Sequence, residues 1–255
     1  MDSNSLSLDI YYNKEVATKK PIVIFVHGGG WAIGDKADQI QNKATLFQSL
    51  NYVFVSINYR LSPIPYELNN PNRIKYPTHN NDVADAIKWV VDNIEQYGGN
   101  PNKIALLGHS AGAQLVALTG TNKSFLENVG LSLSALKGVA VIDTKGYDVL
   151  DLVLNNKNLY INAFGTNSAE NIAASPLYQM ENGVTYPSFF IAKRGSTQRL
   201  AIANDFIDSL ESKGVSVSQV KASIYTHTGI NKAIGKPNET KITNPLKDFF
   251  AECFN

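Results

Sequence analysis

Residues 103–112 read Lys-Ile-Ala-Leu-Leu-Gly-His-Ser-Ala-Gly, an apolar run followed by a serine with a glycine two residues away on either side. The apolar run predicts a buried strand, and the small residues that follow predict the start of a helix. A sharp strand-to-helix turn strains its central residue, and Gly108 and Gly112 keep the strand and the helix from clashing. We therefore expect Ser110 to point out above a sheet as a nucleophile. The alternative is an inert serine in a glycine-bounded turn.

Strand and helix signals alternate along the rest of the chain. Continuous apolar runs predict further strands, buried on both faces as in a parallel sheet, at residues 21–26, 52–57, 137–142, 188–192 and 217–225. Apolar residues recur at intervals of three and four in 82–97, which Asn81 or Asp82 can cap and Gly98-Gly99 can end. Shorter helices are predicted at 113–119, 199–210 and 246–254. This alternation predicts an α/β fold with a mostly parallel sheet.

One stretch departs from the alternation. Residues 144–185 are too long for a plain crossover and are interpreted as a small helical insertion over the carboxyl end of the sheet. Because no repeat or linker interrupts the sequence, we expect one domain over residues 1–255.

Composition excludes several kinds of protein. The chain has 255 residues, with 23 Lys+Arg against 22 Asp+Glu and a net charge of +1, which argues against nucleic acid as the main partner and against a polybasic membrane patch. Cys253 is the single cysteine, so a disulfide framework and a multi-cysteine metal site are excluded. No apolar run approaches the roughly 20 residues of a membrane span. Residues 1–16 lack the pattern of a secretory signal, so we expect a cytoplasmic protein, or a secreted one whose signal is absent from this sequence.

Residues 27–31, His-Gly-Gly-Gly-Trp, directly follow the first long predicted strand. Consecutive glycines at a strand end expose backbone N–H groups without side chains in the way. Gly28 or Gly29 is therefore expected to supply one donor to a carbonyl oxyanion, and the N–H of Ala111 the other. A flexible turn is the alternative. Trp31 is expected to wall the substrate pocket, although a core position fits equally well.

A serine nucleophile needs a general base, and histidine is the usual one near neutral pH. The chain has four histidines. His227 follows the last predicted strand, where a base is expected to stand. His109 lies beside Ser110 inside the turn and cannot easily reach its hydroxyl, so we expect it to contact the substrate. His27 is expected to orient the glycine loop, and His79 precedes a helix without a strand before it.

Four sequence motifs together resemble the α/β-hydrolase superfamily, and within it the small HGGG-type esterases of the hormone-sensitive-lipase-like and feruloyl- or acetyl-esterase-like groups. They are His-Gly-Gly-Gly-Trp, Ile-Asn-Tyr-Arg-Leu-Ser-Pro at 57–63, the long helix ending in Tyr-Gly-Gly-Asn-Pro, and Gly-His-Ser-Ala-Gly. The resemblance covers most of residues 21–117. It implies a mostly parallel sheet of about eight strands with helices on both faces. It also implies serine-esterase chemistry with neither a metal nor a cofactor.

In that family the acid stands after the penultimate strand, in a pattern like G-x-x-D. Here the matching stretch, residues 194–199, reads Arg-Gly-Ser-Thr-Gln-Arg and places Gln198 where the acid is expected. A glutamine can hold an imidazole by one hydrogen bond but cannot offset the charge of the imidazolium. The acid is therefore expected elsewhere, or catalysis is weak.

Asp143 is the favoured acid. It directly follows the strand at 137–142, one strand earlier than usual, and an acid at that edge of the sheet can still reach a histidine on the adjacent loop. The order Ser110, Asp143, His227 is preserved. Asp148, Asp205 and the absence of any acid remain as alternatives.

These residues predict a serine hydrolase acting on a small-molecule carboxylic ester of small to medium size. An aryl-formamidase-like amide hydrolase is one alternative, because the glycine motif followed by Gly34-Asp35-Lys36 is similar to kynurenine-formamidase-like enzymes. A catalytically weak binding protein on the same scaffold is another, because of Gln198. The sequence leaves the oligomeric state open.

Overall fold

A seven-stranded sheet forms the centre of the structure, a computed structural model that describes residues 6–14, 19–155 and 157–255. The strands are β1 (Leu8–Tyr11), β2 (Lys20–Val26), β3 (Val53–Ile57), β4 (Gly99–His109), β5 (Leu136–Ile142), β6 (Ser188–Lys193) and β7 (Val217–Lys221). Their spatial order is β1-β3-β2-β4-β5-β6-β7. β1 runs antiparallel to β3, and all the other neighbours are parallel.

Helices cover the two faces of this sheet. They are α1 (Gln41–Ser49), α2 (Thr78–Asn93), α3 (Ala111–Thr121), α4 (Ser124–Glu127), α5 (Val149–Leu154), α6 (Asn158–Phe164), α7 (Ser168–Ala173), α8 (Thr197–Ser212), α9 (His227–Ala233) and α10 (Thr243–Phe254). Short 3-10 helices span Ile94–Tyr97, Leu133–Ala135 and Pro176–Tyr178. In the described part of the chain, no helix has both the length and the apolar content needed to cross a bilayer.

The inner strands β2, β3, β5 and β6 are largely apolar because both of their faces pack against helices. Ile22 and Ile24 of β2 belong to the core shared with α2, α3 and α8, whereas Val23 and Phe25 belong to the core shared with α1 and α10. Side chains alternate across a strand, so both sets are buried at once. The carboxyl ends of the parallel strands consequently meet along one edge, where the polar residues that follow them converge.

The sheet differs from the sequence-based expectation in its strand count. About eight strands were expected, and seven are present among the described residues. Strand β1 was not predicted, because it pairs only at the edge and its residues are half-buried. The strand expected at 217–225 ends at Lys221, and a turn leads from it into α9.

The helices also differ in detail. Helix α1 has no continuous apolar stripe, since Ala44 and Phe47 are its only buried apolar residues. Helix α2 begins at Thr78, before the expected caps, and its final predicted turn is the 3-10 helix Ile94–Tyr97.

The stretch at 144–185 does form a helical insertion. It contains α5, α6, α7 and a 3-10 turn. Helix α6 packs against the glycine loop. The ring centroids of Phe164 and Trp31 are 4.8 Å apart, in an edge-to-face arrangement. The insertion therefore walls one side of the region above Ser110.

Candidate active site

Ser110 occupies a sharp turn between β4 and α3. Its φ of 57° and ψ of −115° lie outside the helical and strand regions. Its N–H donates to the carbonyl of Ile142 at 3.0 Å. A Cβ atom at Gly108 would lie 2.3 Å from the carbonyl oxygen of Gly112, and one at Gly112 would lie 2.1 Å from that of Val26. The two glycines are therefore what permits the strand and the helix to meet at this angle.

Three side chains from distant parts of the sequence form one chain of hydrogen bonds. The Ser110 hydroxyl lies 2.8 Å from Nε2 of His227, and Nδ1 of His227 lies 2.7 Å from Oδ2 of Asp143. In the neutral imidazole, Nδ1–H donates to the carboxylate, and Nε2 accepts the hydroxyl proton. His227 is the first residue of α9, and Asp143 directly follows β5 with a φ of 51°.

Two arginines also bind the Asp143 carboxylate, and one of them shares Oδ2 with His227. Arg194 Nη1 donates to Oδ2 at 2.7 Å, and Arg199 Nε donates to Oδ1 at 2.9 Å. Arg199 Nη2 also donates to the Asp143 carbonyl oxygen at 2.9 Å. Burial raises the pKa of Asp143, but the hydrogen bonds from His227 and Arg194 and the charge of Arg199 outweigh it and lower the pKa to about 2. The carboxylate is therefore ionised at every physiological pH.

Asp143 is the carboxylate that bonds to His227 within the described residues. Asp148 instead caps α5 with its side chain, and Asp205 is exposed on α8. Gln198 is exposed on the first turn of α8, so it does not stand in for an acid.

His109, the last residue of β4, contacts His227 at the start of α9. Its Nε2 lies 2.9 Å from the carbonyl oxygen of His227, and the centroids of the two rings are 4.8 Å apart. Burial, followed by the proximity of His227, lowers the pKa of His109 to about 4. The ring is thus neutral at pH 7, and its Nε2–H donates to the carbonyl. The sequence predicted a substrate contact here. The ring also lines a cavity beside Ser110, so a contact with substrate remains a prediction.

The remaining histidines lie outside this hydrogen-bonded chain. The His27 ring stacks on the Tyr59 ring with the two centroids 4.5 Å apart. Nδ1–H of His27 donates to the Gly28 carbonyl at 2.7 Å. This bond fits the expected loop-orienting role of His27. His79 is buried, with Nε2 3.1 Å from the Ser62 hydroxyl.

The glycine loop lies directly against the serine turn. A Cβ atom at Gly28 would lie 3.0 Å from Cβ of Ser110, so the backbone there approaches the serine closely. Gly29 has a φ of 123°, and a Cβ atom on it would lie 1.8 Å from the carbonyl oxygen of Ile33. Ala111 is the first residue of α3, and its N–H therefore has no partner within the helix. The loop and the helix start thus flank the space above Ser110.

Trp31 lies in the apolar core and also lines a cavity, so it occupies both of the positions that the sequence allowed. It is only 4% exposed and belongs to the apolar core. Its Nε1–H donates to Oε1 of Gln114 at 3.0 Å, and its ring lines a cavity beside Ser110.

Two cavities flank Ser110, and both are lined by Gly30, Ser110 and His227. The glycine-loop cavity has a volume of about 410 Å³ and is also lined by Gly28, Gly29, Asp38, His109 and Asn231. The insertion-side cavity has a volume of about 370 Å³ and is also lined by Trp31, Lys145, Leu152, Leu159, Tyr160 and Arg199. A substrate that straddles the serine therefore has room on both sides.

The family model described as BD-FAE matches residues 8–194, well over half of the 255 residues. The chain belongs to the BD-FAE family. The matched span contains Ser110 and Asp143 and ends before His227.

Curated relatives of this BD-FAE member carry esterase names. Esterase LipC of Mycobacterium tuberculosis is 36% identical over 120 residues, which cover 47% of this chain and 28% of LipC. Isoprenylcysteine alpha-carbonyl methylesterase ICME of Arabidopsis thaliana is 28% identical over 248 residues, which cover 88% of this chain and 54% of ICME. The chain thus spans from about a quarter to about half of the length of these relatives.

Among solved structures, Esterase B of Lactobacillus rhamnosis superposes with a TM-score of 0.79 at 18% identity, over 99% of this chain and 82% of that chain. A likeness at this identity concerns the fold. It confirms the predicted α/β-hydrolase fold for this BD-FAE member.

Sequence reasoning missed the two arginines of the site. Arg194 and Arg199 lie 51 and 56 residues from Asp143 along the chain, and nothing in the sequence pairs them with it. The one available signal was that two arginines bracket the stretch in which Gln198 replaces the expected acid.

No group of three or more His, Cys, Asp or Glu side chains within the described ranges is arranged to hold a metal ion.

Proposed function

We propose that this chain is a serine hydrolase that cleaves small to medium carboxylic esters through an acyl-serine intermediate. The hydrogen-bonded chain Ser110–His227–Asp143, with contacts of 2.8 and 2.7 Å, carries the proposal. The esterase names of the relatives support it. We also propose that the chain is a single domain, because one sheet edge brings together the ends of β2, β4 and β5 and the start of α9.

The first half of the reaction forms the acyl-enzyme. His227 Nε2 takes the hydroxyl proton as Oγ of Ser110 bonds to the ester carbonyl carbon, and the carbonyl electron pair moves onto oxygen. N–H groups of Gly28, Gly29 and Ala111 stabilise that oxyanion. The C–O bond to the alcohol then breaks, and His227 returns its proton to the departing alkoxide.

The second half repeats these steps with water. His227 accepts a proton from water as the water oxygen attacks the acyl carbon, and the collapse of this intermediate releases the acid and restores the Ser110 hydroxyl. Asp143 holds His227 in the productive orientation and stabilises the imidazolium in both halves. A carboxylate with a pKa of about 2 stays charged throughout.

Turnover and covalent labelling of the purified protein test the proposal. We expect the wild type to hydrolyse p-nitrophenyl acetate and butyrate, and to react with a fluorophosphonate probe at Ser110. The Ser110→Ala variant should lose about 10⁶-fold in kcat and all labelling at that position. A folded wild-type sample that neither turns over these esters nor takes the label would refute the proposal.

A further inference from the structure

The insertion-side cavity has a polar side that the proposed reaction does not use. Part of its wall is apolar and is formed by Trp31, Leu152 and Leu159. The same cavity is lined by two cationic side chains, Lys145 and Arg199. A neutral acyl or alcohol chain in this cavity would displace water from two cations without pairing with them, which costs free energy.

Arg199 has donor capacity left over. Its Nε and Nη2 are bound to Asp143, and within the described part of the chain Nη1 has no hydrogen-bond acceptor. A guanidinium carries five N–H donors in a fixed plane, so the group that fixes Asp143 with one edge can present the remaining donors to a ligand. The side chain is 15% exposed and lines the cavity.

Lys145 adds a second cation to this cavity. It lies two residues after Asp143, is exposed, and has neither an ion pair nor a hydrogen bond to its ammonium among the residues that the structure describes. Tyr160, on α6, lines the same cavity.

The balance of charge around the cavity is positive. Asp143 is the one carboxylate that lines it in the described ranges, and Arg194 and Arg199 both pair with that group. Arg199 and Lys145 line the cavity, and Arg194 pairs with Asp143 beside it, so three positive charges stand against the single negative charge of Asp143. The glycine-loop cavity is lined by Asp38 and by no described Lys or Arg, although the Lys43 ammonium lies behind its lining on the carbonyls of Gln39 and Asn231. An anion is therefore favoured more strongly in the insertion-side cavity, where two cations line the space itself.

We propose that the insertion-side cavity binds an anionic group of the substrate, so that the preferred esters carry a carboxylate a few atoms from the ester bond, held by Lys145 Nζ and Arg199 Nη1. This inference rests on the proposed esterase function and names its substrate class. The carboxylate belongs either to the acyl part or to the alcohol part of the ester, and the chemistry of recognition is the same in the two cases.

Pairs of esters that differ only in this charge test the proposal. For the acyl part, monoethyl succinate is compared with ethyl isocaproate, whose isopropyl end has the shape of the carboxylate. For the alcohol part, the acetate ester of β-hydroxypropionate is compared with isoamyl acetate. Acid release is followed in a pH-stat. We expect the anionic ester of one pair to have a kcat/KM about tenfold above its neutral partner, as for a charge-assisted hydrogen bond.

The Lys145→Met variant separates this site from the general charge of the protein. We expect it to lower the anionic-to-neutral ratio of kcat/KM about fivefold, mainly through KM. Lys232→Met is the matched control, because Lys232 is an exposed lysine on α9 that lines neither cavity. It should leave the ratio unchanged.

Equal kcat/KM values within both pairs, measured on an enzyme that hydrolyses the neutral esters, would overturn the inference. So would an equal effect of the two lysine variants. If no ester is hydrolysed at all, the proposed function fails instead, and the cavity is then tested by calorimetry of monoethyl succinate with Ser110→Ala. Binding that Lys145→Met weakens would support the anion site, and absence of binding would refute it.

Discussion

The ends of β5 and β6 lie side by side and carry opposite charge. Ile142 of β5 pairs with Ala192 of β6, and the Asp143 N–H donates to the Ala192 carbonyl at 2.9 Å. Strand β5 is followed by the buried carboxylate, whereas β6 is followed by Arg194 and the start of α8. The end of β6, where the resemblance led us to expect an acid, is followed by Arg194 and Arg199 instead.

This difference shows how a carboxylate after β5 can contact His227. Neighbouring parallel strands end at the same edge, about 5 Å apart, so a carboxylate on either can reach a histidine above that edge. A buried carboxylate needs compensation for lost hydration. Arg194, directly after β6, and Arg199, in the first turn of α8, supply it by pairing with Asp143.

The largest expected effect comes from removing the charge at the β5 end. Asp143→Asn should lower kcat about 10⁴-fold in a folded protein, the size of the corresponding loss in a serine-protease triad. The amide neither fixes the Nδ1–H tautomer of His227 nor stabilises its imidazolium. Steady-state kinetics with p-nitrophenyl butyrate measure this loss.

Gln198→Ala is the matched control at the β6 end. Since Gln198 is exposed on the first turn of α8, its removal should leave kcat within about twofold of the wild type. The opposite ranking, an active Asp143→Asn enzyme and an inactive Gln198→Ala enzyme, would assign the acid's role to the β6 end.

An intermediate effect is expected when the arginines are neutralised one at a time. Arg194→Gln and Arg199→Gln should each lower kcat for a neutral ester about tenfold, because each removes a charged hydrogen bond that orients Asp143. KM for the neutral ester should change little, since the loss concerns orientation rather than binding.

The conservative variants Arg194→Lys and Arg199→Lys check this interpretation. They keep the positive charge but not the planar geometry, so part of the lost kcat should return. If the glutamine and lysine variants all match the wild type, the loop after β6 has no part in positioning the acid.

A smaller effect is expected at the end of β4, where His109 supports His227 independently of the other two strands. His109→Phe should lower kcat about threefold to tenfold, because the His227 carbonyl loses its 2.9 Å hydrogen bond. His109→Gln retains an N–H donor and should lose less. Equal losses in the two variants would show that the hydrogen bond is unimportant.

The smallest expected effect is on the pH dependence of stability. The pKa of His109 is lowered from its usual 6.5 to about 4, first by burial and then by the nearby His227. The unfolded chain takes up this proton at higher pH than the folded chain does. The contribution of His109 to the free energy of unfolding is therefore fully present above about pH 6.5, and it is lost as the pH falls toward about 4.

Urea unfolding at pH 7 and pH 4.5 measures this contribution. His109→Gln should show a smaller drop in the free energy of unfolding than the wild type over this interval. Buried His79 has a pKa lowered in the same direction, so the difference between the two proteins isolates His109. An identical drop in both would contradict the burial of a neutral ring at position 109.

Much of the site could be predicted from local sequence. Ser110 was identifiable because the glycines on either side of it allow the strand and the helix to pack closely. A Cβ atom at Gly108 or Gly112 would lie only 2.3 or 2.1 Å from a backbone carbonyl oxygen. His227 was identifiable by its place after the last strand. Asp143 was one of several acids, and its 2.7 Å contact with His227 depends on how β5 and α9 meet in space.

The sequence by itself determined the alternation of strands and helices, the strained serine turn and the glycine loop, because each follows from residues close together in the chain. Only the tertiary structure decided which carboxylate contacts His227, which arginines pair with it, and which charged side chains line the two cavities beside Ser110. Those features depend on contacts between residues many tens of positions apart. Their geometry is set by the register of the sheet, which local patterns do not encode.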